Sequence, residues 1–272
     1  MEISAIQLYG LPLDKESITN IQQSTGVKKL ELNIVSAQDI FLLQQLSNEG
    51  FSGVHCNLKI RETLSEAELA LLNKISDNRL IIPTAVEENS LCWPLSFLRR
   101  FPFIYRLFRS LIDQVKFKGL RRIVAGKGVS EKSYFRKTFW LQFANALNEL
   151  AKSGLNIGFH NHGIEFERLE EGETPIDLLD LHLDAGVFFQ FDLTNCLMSG
   201  HFSIELIRKY YHRIRSYHLR IEGIGNEQFY ADLIENHSDI FEQKELVIEL
   251  KENDLESMIS RVKWWKNLVR NI

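Results

Sequence analysis

Leu155-Asn156-Ile157-Gly158-Phe159-His160 is a short apolar run that ends on an imidazole. Three later runs also end on a residue able to bind a metal. Phe188-Phe189-Gln190-Phe191 leads into Asp192, Ile214-Arg215-Ser216-Tyr217 into His218, and Leu246-Val247-Ile248 into Glu249. The terminal residues are separated by 32, 26 and 31 positions. A (β/α)8 barrel of roughly 250 residues repeats about every 31 and carries its chemistry at the C-terminal ends of its strands. The spacing therefore predicts an α/β chain folded as a (β/α)8 TIM barrel. Two imidazoles and two carboxylates would meet at one mouth.

The first half carries similar runs: Ile3 to Tyr9, Lys29 to Asn33, Gly53 to Asn57, Leu80 to Pro83 and Arg122 to Ala125. With the four later runs this makes nine candidates for eight strand positions. Helix-like segments lie between them. Ser65 to Leu72 opens on a residue suited to an N-cap, and Phe139, Phe143, Leu147 and Leu150 fall on one helical stripe. Alternation of strand and helix implies parallel strands joined by crossovers. One interval, from Ile82 to Ile123, exceeds the repeat. Its excess, about 88–118, interleaves basic with large apolar residues, as in Trp93-Pro94-Leu95-Ser96-Phe97-Leu98-Arg99-Arg100-Phe101. An extended helical element packed on the barrel or at a homodimer contact, a lid over the mouth, and a membrane-surface or nucleic-acid patch all fit that composition.

Composition sets bounds. The chain has 272 residues, 44% hydrophobic and 25% charged, with a formal net charge of -4. Only 5 prolines occur, and no Gly/Ser/Pro-rich linker divides the sequence, so residues 1–272 are expected to form one domain. The mild acidity gives no reason to expect nucleic acid, which favours a basic partner. No apolar run reaches the 18 or so residues of a membrane span. Cys56, Cys92 and Cys196 lie far apart and form no CxxC pair. Together with an N-terminus unlike a signal peptide, they point to a reduced, cytoplasmic setting.

The densest polar cluster is Phe159-His160-Asn161-His162-Gly163-Ile164-Glu165-Phe166-Glu167. Strand alternation places His160 and His162 on one face with Gly158, which leaves open space beside them. Buried imidazoles and amides need partners. Asp192 follows an almost wholly apolar tetrapeptide, which is unusual for surface decoration and compatible either with a ligand or with a cap for the next helix.

These segments resemble the xylose isomerase-like barrel superfamily of sugar phosphate isomerases and epimerases. The marks are Gly158-Phe159-His160-Asn161-His162 with Glu165-Phe166-Glu167, and Phe191-Asp192 with Gly200. Tyr210-Tyr211-His212-Arg213-Ile214 leading to His218-Leu219-Arg220, the glycines Gly223 and Gly225, and Val247-Ile248-Glu249 complete them. The resemblance implies a divalent metal at the ends of strands five to eight, held here by His160, Asp192, His218 and Glu249. The first of these departs from the family, whose epimerases carry glutamate there. The His-Asn-His form is similar to the inosose dehydratase-like subgroup. The family's His-Leu-Lys-Asp reads His218-Leu219-Arg220-Ile221, and position 195 is asparagine rather than aromatic or histidine.

The chemistry implied is proton abstraction next to a carbonyl on a sugar or inositol derivative, by an isomerase, epimerase or dehydratase. Mixed nitrogen and oxygen donors suit Mn²⁺, Zn²⁺, Co²⁺ or Fe²⁺. Glu249 is the candidate base, with His162 or Glu165 as a second proton-transfer group. Arg220, His55, Glu31 and Asn161 are candidates for contact with substrate hydroxyls. Arg220 cannot itself act as a base, because a guanidinium keeps its proton. Two other classes remain open: a hydrolytic barrel of the endonuclease type, which the net charge disfavours, and a barrel without catalysis that binds a small ligand or protein partner.

Overall fold

The structure, a computed structural model, describes residues 3–8, 15–27, 29–34, 54–58, 79–83, 135–152, 154, 156–220, 226–250 and 255–270. Eight parallel strands run through them: β1 (Ile3–Leu8), β2 (Lys29–Ile34), β3 (Val54–Leu58), β4 (Arg79–Pro83), β5 (Asn156–His160), β6 (Phe188–Asp192), β7 (Ile214–Arg220) and β8 (Glu245–Leu250). Each pairs with the next, and β8 returns to β1, so the sheet closes into a barrel. These strands match eight of the nine runs expected from sequence. The ninth, Arg122–Ala125, lies outside the described residues, as do the Ser65–Leu72 helix and the segment 88–118.

The described helices are α1 (Lys15–Thr25), α2 (Lys137–Lys152), α3 (Pro175–His182), α4 (Leu193–Met198), α5 (Ile204–Tyr210), α6 (Asn226–Asn236) and α7 (Leu255–Arg270). The expected stripe on α2 is buried: Phe139, Phe143, Leu147 and Leu150. Alternation along the later strands sorts side chains into two layers. Phe159 meets Phe143 of α2, Phe189 meets Tyr210 of α5, and Phe191 meets Tyr217 on the next strand. These odd-numbered positions form an aromatic layer between sheet and helices. The even-numbered positions beside them, His160, Gln190, Asp192, Ser216 and His218, point into the barrel.

Local chemistry explains where the helices begin. Thr174 caps α3, its hydroxyl accepting from the Asp177 N–H, and Pro175 follows where a missing N–H costs nothing. Ser203 caps α5 in the same way. Asp177 joins these two helices. Its carboxylate accepts the Tyr210 hydroxyl at 2.8 Å and the Thr174 hydroxyl at 2.8 Å, and it pairs with Lys209. Tyr210 is 1% exposed. The substitution Asp177→Ala removes that acceptor and should cost about 1–3 kcal/mol, the range for a disrupted buried hydrogen bond. A urea titration reads this as a lower midpoint. An unchanged midpoint would mean that the α3–α5 contact does not depend on the pair.

Candidate metal centre

Register brings the polar strand ends together. His160 pairs with Gln190, Asp192 with His218, and Arg220 with Glu249. Gln7 aligns with both Glu249 and Glu31, and Glu31 with His55, which carries the polar level round to β3. All these positions lie in the C-terminal parts of their strands or at their ends, except Gln190, Glu31 and His55, which sit further in.

Asp192 is the hub. It is fully buried. Its Oδ2 lies 2.9 Å from His218 Nδ1 and 3.4 Å from His160 Nε2. The rings of His160 and His218 meet edge to face with centroids 4.9 Å apart. One donor atom from each of His160, Asp192 and His218 lies within 4.8 Å of the others. Asp192 also performs the capping role expected of it: Oδ1 accepts the Asn195 N–H at 2.6 Å at the start of α4. Ligand and cap are therefore compatible, because the two oxygens of one carboxylate face different ways.

Burial works against the charge of Asp192. The neighbouring imidazoles of His160 and His218 nevertheless hold its carboxyl far below the usual range. Burial likewise opposes protonation of His218, but its hydrogen bond to the Asp192 carboxylate and the nearby carboxylates outweigh it and raise its pKa. The thiol of Cys196, close by in α4, is buried and pushed up to about 12, first by burial and then by the Asp192 charge, so it is no thiolate nucleophile.

This donor set fits a divalent ion with mixed nitrogen and oxygen preference. Such ions hold their donors at about 2.0–2.2 Å, so neighbouring donors on one ion sit roughly 3 Å apart. The 2.9 and 3.4 Å separations around Asp192 fall in that range.

Glu249 stands beside the three rather than among them. Its Oε2 is 4.0 Å from His218 Nδ1 and accepts from Arg220 Nη1 at 2.9 Å. Arg220 Nη2 reaches Asn195 Oδ1 at 3.3 Å. Thr194 fixes the end of β7 by accepting the Arg220 N–H at 2.8 Å.

No protein-family model matches the chain. The inosose dehydratase of Clostridium botulinum (strain Alaska E43 / Type E3) is 33% identical over 94 residues, 33% of this chain and 30% of that protein. The inosose dehydratase of Clostridium tetani (strain Massachusetts / E88) is 27% identical over 134 residues, 46% of this chain and 43% of that protein. The matched stretches thus span less than half the length of these curated relatives. Solved structures are similar over the whole chain. A sugar phosphate isomerase/epimerase from Parabacteroides distasonis ATCC 8503 superposes with a TM-score of 0.56 at 16% identity, covering 99% of this chain and 98% of that one. A 3-keto-D-glucoside 4-epimerase from E. coli superposes with a TM-score of 0.56 at 11% identity, covering 100% of both. The fold shared with these structures is that of a TIM barrel.

Within this barrel the remaining candidate residues take distinct places. Asn161 is buried and ties β5 to β6. Its Oδ1 accepts the Asp192 N–H at 2.8 Å, and its Nδ2 donates to the Asp192 carbonyl at 3.1 Å. It thereby positions Asp192. The carboxylate of Glu165, also buried, accepts the His162 N–H at 2.9 Å and braces the turn after β5. Because β5 ends at His160, strand parity does not extend to His162, yet the two rings lie 5.4 Å apart. His55 is placed by its backbone, beside Glu31.

The residue missed from sequence is Gln190. It lies two positions before Asp192 on the same face, and parity within the Phe188–Phe191 run was the available signal. Gly163 is required by close approach: a Cβ there would lie 2.8 Å from Ser199 Cβ. Gly163→Ala should therefore destabilise the barrel by about 1–3 kcal/mol, the usual cost of overpacking. Adding Ser199→Gly should recover much of this. Additive losses in that double-mutant cycle would show that the contact is not the cause.

Proposed function

We propose that this barrel is a divalent-metal-dependent enzyme acting on a sugar or polyol by removing a proton next to a carbonyl, as an isomerase, epimerase or dehydratase. The observation that carries the reading is the buried His160–Asp192–His218 group at the C-terminal ends of β5, β6 and β7. A buried carboxylate flanked by two imidazoles is costly without a task. The relatives point the same way, since they are inosose dehydratases and sugar epimerases.

In this reading His160, Asp192 and His218 hold the ion, with Glu249 close enough to join or to act on substrate. A bound divalent ion supplies Lewis acidity toward a carbonyl oxygen. Glu249 takes the carbon-bound proton, and the bond electrons pass toward the carbonyl oxygen to give an enediolate. Arg220 keeps the Glu249 carboxylate in place and contributes positive charge. His162, whose ring lies 5.4 Å from that of His160, returns or relays a proton.

Metal analysis of the purified protein, followed by solvent-exchange NMR on candidate ketoses and inososes, tests the reading. About one transition-metal ion per chain, and exchange of a carbon-bound proton with solvent, are expected. Absence of metal after supplementation would overturn it. It would favour the second reading, a non-catalytic barrel that binds a ligand, for which the Arg220–Glu249 pairing is the supporting observation.

A further inference from the structure

We infer that Gln190 and Glu31 are positioning residues that fix the tautomer of His160, so that its Nε2 presents a lone pair to the metal site. This rests on the metal-centre reading only for its purpose. The tautomer itself follows from hydrogen-bond chemistry. Gln190 Nε2 lies 2.7 Å from Glu31 Oε2, and the other end of the same amide, Oε1, lies 2.9 Å from His160 Nδ1. A carboxylate only accepts, so the amide must turn its NH₂ toward Glu31. The reverse orientation would set two acceptor oxygens 2.7 Å apart. Gln190 Oε1 is then left facing Nδ1, and only an Nδ1–H can satisfy it.

A neutral imidazole with hydrogen on Nδ1 has none on Nε2. In His160 that second nitrogen is the one 3.4 Å from Asp192 Oδ2. Two acceptors face each other there, at a separation that an ion or an added proton would bridge. Glu31, Gln190 and His160 are 0%, 1% and 5% exposed, so water does not compete for these bonds. The arrangement spans three strands, β2, β6 and β5. It matches the general device by which the non-ligating nitrogen of a metal-bound histidine donates to an oxygen that sets the ring. Here a neutral amide touches the ring and a carboxylate one step away sets the amide.

Long-range ¹H–¹⁵N NMR on metal-free protein labelled at histidine reads the tautomer directly, in buffer alkaline enough for neutral rings. The His160 signal is assigned by its loss in His160→Ala. The expected result is the Nδ1–H form in the wild type. Gln190→Met, similar in size but without a strong acceptor, should shift His160 toward Nε2–H and weaken Zn²⁺ or Mn²⁺ binding about 10–100-fold. Glu31→Gln should retain the Nδ1–H form, because its amide oxygen still accepts from Gln190. An Nε2–H form in the wild type would overturn the inference. So would a Gln190→Met protein whose His160 keeps the wild-type tautomer. If Gln190→Met does not fold, the wild-type tautomer decides. Should the wild type show Nδ1–H yet bind no metal, the functional reading falls while the assignment of Gln190 and Glu31 stands.

Discussion

Asp192→Asn is expected to remove metal binding while leaving the barrel folded. Asparagine is as good a helix N-cap as aspartate, so the bond to the Asn195 N–H at the start of α4 survives. The backbone bonds from Asn161 to residue 192 do not involve its side chain at all. What changes is the oxygen shared by His160 and His218. An amide carries no charge there, and if its NH₂ takes that side it presents a donor to an ion. Loss of a group that merely orients a ligand costs about 10–100-fold in metal affinity, so loss of the central ligand should exceed about 100-fold. Two measurements check this. Metal content per chain should fall to background, and the rise in melting temperature on adding metal should vanish. In the wild type that rise reflects roughly 2.7 kcal/mol at a metal concentration 100 times the Kd. A variant that still binds metal with near wild-type affinity would show that Asp192 is a cap alone, the other reading its sequence context allowed.

That ambiguity shows what was legible in the chain and what was not. Strand alternation and a repeat near 31 residues are local signals. They located β5 to β8 and the inward direction of His160, Asp192, His218 and Glu249. The same signals could not choose between nine apolar runs, because a run marks burial and not its partner strand. Residues whose part depends on distant partners stayed hidden. Gln190 reads as one polar residue among phenylalanines until Glu31, 159 positions away, is placed beside it. Asn161 reads as a contact for hydroxyls, and the sequence does not show that its amide also spans β5 and β6 at Asp192. Glu165 reads as a candidate base, and the sequence does not show that its carboxylate also accepts the His162 N–H. The Arg220–Glu249 pair also belongs to this class, since adjacency on β7 and β8 follows from register and not from either segment alone.

The pairing with Arg220 makes Glu249→Gln the most discriminating substitution at the mouth. Glutamine keeps the size of the side chain and an oxygen that can accept from Arg220 Nη1. It cannot take a proton from carbon. If Glu249 is the base, kcat should fall by about 10²–10⁴, the usual contribution of a positioned proton acceptor, with KM changing little. Metal content should stay at the wild-type level, because the three donors within 4.8 Å of one another do not include Glu249. Arg220 cannot replace it, since guanidinium holds its proton at any working pH. Takeover by His162, whose ring lies 5.4 Å from that of His160, would leave a residual rate with a different pH profile. The opposite outcome is equally definite. A fall in metal affinity that tracks the fall in kcat would make Glu249 a fourth ligand, as the family resemblance implies. Metal binding would then have to draw the carboxylate away from its 2.9 Å contact with Arg220 and toward His218, now 4.0 Å off. Measuring metal affinity and kcat on the same preparation of this variant separates the two roles, because the base role lowers one quantity and the ligand role lowers both.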